Sequence, residues 1–245
     1  MRADAHLRVG PGGRVERMHD SPPVAFRPTP EGVFLVGTAG GPLGGDDVRL
    51  GVEVTPDGEL DLRSAAATVA LAGCGSSWEV TLDAGARSRV RWRPEPLIVT
   101  ARARHLQRAT VRLASDALLD WTEVTLLGRH GEACGDADVR LEVDAGGRPL
   151  LRHEQVVGPG APGWDGPAVL GKLRATASRL VAGANLGPPE QVAGPGWAWF
   201  ELDGPGWLLL AASADLPGLR SALASAGSPS VPARAATRGG LEGRR

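Results

Sequence analysis

The sequence predicts a mostly β fold built from layered sheets of stacked β-hairpins, with one or two short helices near the C-terminus. The first observation is a period of two. Apolar residues from Val48 to Val54 alternate with polar or small ones, as the side chains of a half-buried strand do. The second observation is a set of turn signals that recur about 30 residues apart, a spacing typical of repetitive β architectures.

Four units carry this pattern, each consisting of an alternating strand, a turn and a return strand. The turns contain glycine, aspartate or proline, the residues that favour chain reversal. Trp78, Trp92 and Trp121 occupy the inward phase of their strands, so we expect them in the core. The strand, turn and return segments are, in order, 48–54, 55–58 and 60–62; 78–82, 83–85 and 90–92; 111–113, 115–116 and 119–121; and 139–143, 144–147 and 150.

The C-terminal part predicts one more strand pair and a helix. Gly-Pro-Gly-Trp sequences at 194–197 and 204–207 bracket a short strand, and 208–212 is its buried partner. Asp215 is the predicted N-cap of a helix that Gly227 ends. The small, polar and basic residues 228–245 predict a disordered tail, which leaves 1–227 as a single β-rich domain.

Composition and charge indicate which classes of partner and which cellular compartment are expected. Of the 245 residues, 22% are charged, and the formal net charge is -1, so no general basic field favours nucleic acid. No apolar run approaches the roughly 20 residues of a membrane helix. The N-terminal residues do not resemble a secretory signal, so we expect a cytoplasmic protein in which Cys74 and Cys134 are free thiols.

One stretch could bind a metal ion. His130, Glu132 and Cys134 recur at period two, and imidazole, carboxylate and thiolate are all ligands that nickel accepts. Glycines at 128, 131 and 135 punctuate the stretch, which favours a polar loop without a metal. Both interpretations remain open on the sequence.

Five segments, in order, resemble the urease accessory proteins of the UreD family, also called UreH. The sequence Gly-Gly-Pro-Leu-Gly-Gly-Asp at 40–46 resembles the glycine-rich signature of that family. A Trp-Arg-Pro-Glu-Pro sequence follows at 92–96, and Ala-Arg-Ala-Arg at 101–104 matches a basic stretch. The segments 120–132 and 140–151 continue in register, so the resemblance extends over about residues 7 to 225.

The resemblance implies a non-catalytic scaffold for urease maturation. Such proteins bind a UreF-type partner, engage a UreG-type GTPase through it, and dock on apo-urease. They pass nickel transiently along a polar route and hold no tightly bound cofactor. The residues carried over as candidate nickel ligands in transit are Asp46, Glu95, Glu123 and Glu132. The residues carried over as family-motif and partner-binding positions are Gly44, Gly45, Asp46, Trp121, Glu123, Gly128 and Arg129.

Alternatives to this interpretation follow from the residues alone. Asp46 could simply be a turn residue whose carboxylate accepts hydrogen bonds from nearby amides. Exposed tryptophans at 197, 199 or 207 would favour a β-rich module that binds carbohydrate or protein. Two carboxylates converging in a pocket would favour a small hydrolase, although the acids lie far apart in the sequence.

Overall fold

The structure, a computed structural model, describes residues 1–231 and contains 18 strands and one helix in that range. The strands are β1 (Arg2–Val9), β2 (Val15–His19), β3 (Val24–Thr29), β4 (Gly32–Gly37), β5 (Asp47–Val54), β6 (Glu59–Ser64), β7 (Thr68–Ala70), β8 (Ser76–Ala84), β9 (Arg89–Arg93), β10 (Leu97–Val99), β11 (Arg104–Leu113), β12 (Leu118–Leu127), β13 (Asp136–Ala145), β14 (Arg148–Val157), β15 (Ala175–Ala182), β16 (Ala193–Gly194), β17 (Trp197–Glu201) and β18 (Gly206–Ser213). The helix is α1 (Leu216–Ser225). The predicted mostly β class, with a short helix near the C-terminus, is confirmed.

The strands form two sheets. The seven-stranded sheet has the order β14-β13-β11-β8-β5-β1-β2. The eleven-stranded sheet has the order β16-β17-β18-β15-β12-β9-β6-β4-β3, with β10 paired to β12 and to β7 beside this path. One apolar cluster draws residues from both sheets, from Ala3 of β1 to Leu208 of β18. The sheets therefore face each other across a shared core.

The predicted repeat sets the register of the sheets. Val48 of β5 pairs in parallel with Trp78 of β8, thirty residues later. In the facing sheet Leu60 of β6 pairs with Val90 of β9, which pairs in turn with Leu119 of β12. Each strand thus lies beside its equivalent in the next unit, as in a solenoid.

The two strands of the first three units differ from the predicted hairpins. Residues 55–58 form a turn in which Gly58 N donates to Thr55 O at 2.9 Å, but this turn carries the chain from β5 into the other sheet. The strands of one unit therefore face each other across the core instead of sharing hydrogen bonds. The alternation is the same in both arrangements, because each needs one apolar face per strand. The fourth unit, β13 and β14, does pair as an antiparallel hairpin.

Two of the three predicted core tryptophans stack in the interior. Trp92 and Trp121 are 4% and 1% exposed, and their rings lie parallel with centroids 4.4 Å apart. Trp78 packs against the same cluster and is partly buried. Aromatic pairs in this geometry add to the free energy gained by burial alone.

Helix α1 begins where the sequence predicts. Asp215 Oδ1 accepts a hydrogen bond from Gly218 N at 2.8 Å, Leu219 is fully buried, and Gly227 has a φ of 60° just after the helix. We expect Asp215→Ala to lower the free energy of unfolding by about 1 kcal/mol, the usual cost of a lost N-cap. Urea denaturation of the full chain measures this. Asp165→Ala, in an exposed loop, is the control, and an equal loss in both variants would argue against the cap.

The segment after α1 is described only in part. Ser228 Oγ accepts a hydrogen bond from Arg179 Nη2 at 2.6 Å, and Ser230 O accepts one from Gly187 N at 3.0 Å. The rest of the predicted disordered tail, residues 232–245, lies outside the described residues, so disorder there stays a prediction. Within residues 1–231 no helix has the length and apolar character needed to cross a membrane.

Candidate functional site

The glycine-rich segment 40–46 forms a loop that packs against the loop at 73–75. A Cβ atom on Gly44 would lie 2.6 Å from Gly73 Cα, so a larger residue would force the two loops apart. Gly45 has a φ of 87°, which favours glycine, and its N donates to Gly75 O at 2.5 Å. The motif glycines thus hold two backbones in close contact.

Asp46 closes this loop with both carboxylate oxygens. Its Oδ2 accepts from Leu43 N at 2.8 Å, and its Oδ1 accepts from the amino group of Met1 at 2.7 Å. That amine hydrogen bond is the main reason why the pKa of Asp46 is lowered, against the opposing effect of burial. The arrangement matches the turn role that the sequence allowed, and it leaves a nickel-transit role for Asp46 as a prediction.

Glu123 has a different environment in the interior. It lies on the inner face of β12 and is 5% exposed. Its Oε1 accepts from Gln107 Nε2 of β11 at 3.2 Å across the core. Its Oε2 forms no hydrogen bond of normal geometry among the described residues, but the Trp121 indole lies close enough to lower the pKa of the carboxyl. Burial raises the pKa of this carboxyl to about 7, and the interactions with Gln107 and with the Trp121 indole offset only part of that effect.

Glu123 belongs to a row of buried or partly buried polar side chains that we call the polar row. Thr176 Oγ1 of β15 donates to Gln155 Oε1 of β14 at 3.0 Å, a second hydrogen bond between the sheets. Ser76 Oγ and His105 Nδ1 lie 2.9 Å apart on β8 and β11. The members of the polar row are Ser76, His105, Gln107, Glu123, Gln155 and Thr176.

The polar row lies between two apolar clusters. On β12, Trp121 belongs to the main cluster and Leu127 to a second one, and Glu123 lies between them. Ala109 of β11 belongs to the main cluster and Ala103, just before β11, to the second one, with His105 and Gln107 between them. A layer of hydrogen-bonding groups in such a position costs stability wherever a group lacks a partner, which suggests a role other than packing.

Four members of the polar row line one of two hollows. A cavity of about 40 Å³ is lined by Gln107 and Glu123, and also by Trp121, Ser64 and Glu95. A groove of about 740 Å³ is lined by Ser76 and His105, and also by Asp46, Cys74 and Asp136. His105 and Gln107 lie two residues apart on one strand face, about 7 Å, so neighbouring inward positions of β11 line the two hollows.

His105 also has a buried polar atom without a hydrogen-bond partner. It is 4% exposed, and its Nε2 has no hydrogen-bond partner within the part of the chain that the structure describes. Burial lowers the pKa of the imidazole to about 4, so the ring is neutral at pH 7 and can act as a ligand.

The other candidate acids lie at the surface. Glu95 is 46% exposed and pairs with Arg220 Nη2 of α1 at 3.1 Å. Glu132 Oε2 accepts from Arg129 N at 3.1 Å and so closes a tight turn. Gly128, with a φ of 84°, begins that turn. These motif positions shape a loop, and Arg129 itself is exposed.

The structure does not bring His130, Glu132 and Cys134 together as a metal site. His130 is exposed in the turn, whereas Cys134 is buried and its Sγ donates to Gly135 O at 2.9 Å. Burial raises the pKa of that thiol to about 11. Across residues 1–231 no group of three or more histidine, cysteine, aspartate or glutamate side chains is arranged to hold a metal ion.

The tryptophans proposed as a binding platform lie inside. Trp197 and Trp199 are each 5% exposed, and Trp207 is partly buried. Trp199 Nε1 donates to Ala226 O at 3.0 Å beneath the segment that follows α1. This burial removes the observation that would have favoured a carbohydrate-binding module.

Comparison with known proteins decides the family. The profile described as "UreD urease accessory protein" matches residues 2–226. The chain belongs to the UreD family. A family member of Streptomyces griseus subsp. griseus, Urease accessory protein UreD 3, is 40% identical over 91% of this chain and 94% of its own length. The UreD of Parafrankia sp. is 38% identical over 92% and 87%, and that of Frankia alni 42% identical over 80% and 73%.

Membership confirms the resemblance seen in the sequence motifs. A UreD protein is a urease accessory protein, which is a maturation factor and not an enzyme. The carboxylates of this chain therefore need no catalytic pairing. The question that remains is what the buried groups of the polar row do for maturation.

Proposed function

We propose that this chain is the scaffold of an accessory complex that delivers nickel to apo-urease in the cytoplasm. In this proposal a UreF-type protein binds the chain, and a UreG-type GTPase joins through that partner. Nickel is the cargo and passes through without a resident site. Family membership supports the maturation role, and the free thiols Cys74 and Cys134 suit a reducing compartment.

The polar row is the observation that carries the nickel part of the proposal. Its two open atoms, Glu123 Oε2 and His105 Nε2, are a carboxylate oxygen and an imidazole nitrogen, both of which nickel accepts. They lie in the interior on the two facing sheets, and each lines a hollow, Glu123 the small cavity and His105 the groove. An ion entering at the cavity would thus meet Glu123 first and His105 next.

The sparseness of these ligands suits transit. Structural metal sites use three or four converging ligands, which hold the ion tightly. Here each step offers one ionisable ligand beside neutral groups such as Gln107 and Ser76. An ion bound by so few groups can leave again, which delivery to another protein requires.

We expect Glu123→Gln to lower the nickel content of urease several-fold, because the variant removes the ionisable carboxyl while keeping the side-chain shape. The experiment co-expresses urease and its accessory proteins with either form and measures nickel per active site. Glu190→Gln, at an exposed loop position, is the control. Full nickel loading with Glu123→Gln would exclude this route.

Co-purification separates the two parts of the proposal. The Glu123→Gln chain should still bind a UreF-type protein, because Glu123 is buried and offers no surface for docking. If neither form retained that partner, the scaffold role itself would be wrong. If both forms bound it and both loaded urease equally, only the nickel route would be wrong.

A further inference from the structure

Two histidines lie opposite each other on the outer face of the seven-stranded sheet. His6 of β1 and His19 of β2 are directly paired residues of an antiparallel pair. Side chains in such positions point to the same face, with Cβ atoms about 4.5–5.5 Å apart. Both are exposed, His6 to 56%, and both line a groove of about 630 Å³. This surface is separate from the polar row.

The groove gives the His6 side chain room to move. Gly51 of β5 lies on the other side of β1, and a Cβ atom there would lie 2.5 Å from His6 Nδ1. Glycine therefore lets the ring lie above β5, where its Nε2 contacts Asp4 Oδ1 at 3.0 Å. Binding one ion together with His19 requires this exposed ring to turn away from β5 into another staggered rotamer.

Charges of both signs surround the pair. Arg17, two residues before His19 on the same face of β2, lines the same groove, while acids balance the nearest arginine of β1. Arg8, the next outward residue of β1, forms ion pairs with Glu16 at 3.1 Å and with Glu53 at 3.0 Å. Asp4 adds a carboxylate beside His6. A carboxylate next to a metal-binding histidine orients the ring and increases its basicity.

We propose that His6 and His19 together bind one divalent cation of borderline softness, such as Ni²⁺, Cu²⁺ or Zn²⁺. Imidazole nitrogen is a preferred ligand of these ions. Two imidazoles held on one rigid sheet bind a single ion more tightly than either alone, because the second bond forms intramolecularly. Water is available for the remaining positions.

The test is a titration of the full, untagged chain with Ni²⁺ alone, followed by calorimetry. We expect His6→Gln and His19→Gln each to weaken one binding event at least about tenfold. His130→Gln changes an exposed histidine in a distant turn and should leave that event unchanged. Glu123→Gln should also leave it unchanged, which separates this surface site from the interior route.

Several outcomes would overturn the proposal. They are a wild-type chain that binds no Ni²⁺, unchanged binding in both strand variants, or an equal loss in His130→Gln. Because both positions are exposed, the variants should keep the circular dichroism spectrum and melting temperature of the wild type. A variant that lost these would be replaced by His19→Asn, which shortens the exposed side chain and still removes the imidazole.

Discussion

Replacing Glu123 by glutamine is expected to raise the free energy of unfolding above pH 7 by up to about 3 kcal/mol. Burial raises the pKa of Glu123 from its ordinary value of 4.5 to about 7. The folded chain therefore keeps its proton between these pH values, whereas the unfolded chain loses it. Stability falls as pH rises through this window, because the folded state binds the extra proton.

The size of the effect follows from the width of the window. At about 1.4 kcal/mol per pH unit, the gap between 4.5 and about 7 corresponds to about 3 kcal/mol. Glutamine has the same shape and stays neutral, so the variant lacks this loss. Below pH 4.5 both side chains are neutral, and the two proteins should have similar stability.

Urea denaturation followed by tryptophan fluorescence from pH 4 to pH 8 measures the difference. Glu95→Gln is the control, because Glu95 forms an exposed ion pair with Arg220 that contributes little to stability. A difference between Glu123→Gln and wild type that did not grow with pH would contradict the prediction. The same result matters for function, because a variant that is more stable cannot lose nickel delivery through unfolding.

The sequence predicted the repeat but not how the two strands of a unit pair. Leu50 and Leu62 lie on alternating strands of the first unit, and either a hairpin or a turn between sheets would bury both. The choice depends on whether strands of successive units are matched over enough length to pair in parallel. Period two carries no information on that match, since it describes each strand by itself.

Part of the polar row could be predicted from the sequence. Glu123 lies two residues after Trp121, which was expected in the core, so both side chains share the inner face. Likewise His105 and Gln107 extend the inward phase of Val111 and Leu113 backwards along β11. The hydrogen-bond partners of these groups could not be predicted, because the Gln107–Glu123 contact depends on which strands face each other across the core.

Asp46 shows that a match to a family motif does not by itself assign a role to a residue. Its segment matches the family signature, yet its carboxylate is occupied by Leu43 N and the amino group of Met1. The signature therefore describes a loop whose glycines and aspartate act together on backbone geometry. Glu123, another motif position, has the freer carboxyl, because only its Oε1 forms a hydrogen bond of normal geometry.

His105→Gln is expected to have a pH dependence of the opposite sign. Burial lowers the pKa of His105 from its ordinary value of 6.5 to about 4. Below pH 6.5 His105 is protonated in the unfolded chain but stays neutral in the folded chain. Wild-type stability therefore falls as pH falls toward 4. The loss amounts to about 3 kcal/mol, and the glutamine variant lacks it.

Ser76→Ala is the matched control for this variant. It removes the group that hydrogen-bonds His105 Nδ1 and should cost about 1 kcal/mol at every pH, while the imidazole still resists protonation. Denaturation curves of the three proteins between pH 4 and pH 8 separate the two effects. Equal pH profiles for His105→Gln and Ser76→Ala would show that the hydrogen bond, and not burial of a neutral ring, sets the profile.

The effects of Glu123 and His105 on the pH dependence of stability should cancel in the wild-type chain. Between pH 4.5 and pH 6.5 the Glu123 carboxyl makes stability fall as pH rises, and the His105 ring makes it rise by a similar amount. Their joint contribution to the slope is therefore close to zero. Removing either group should expose the slope of the other, and removing both should leave only the pH dependence of the remaining groups with shifted pKa values, such as the partly buried His153.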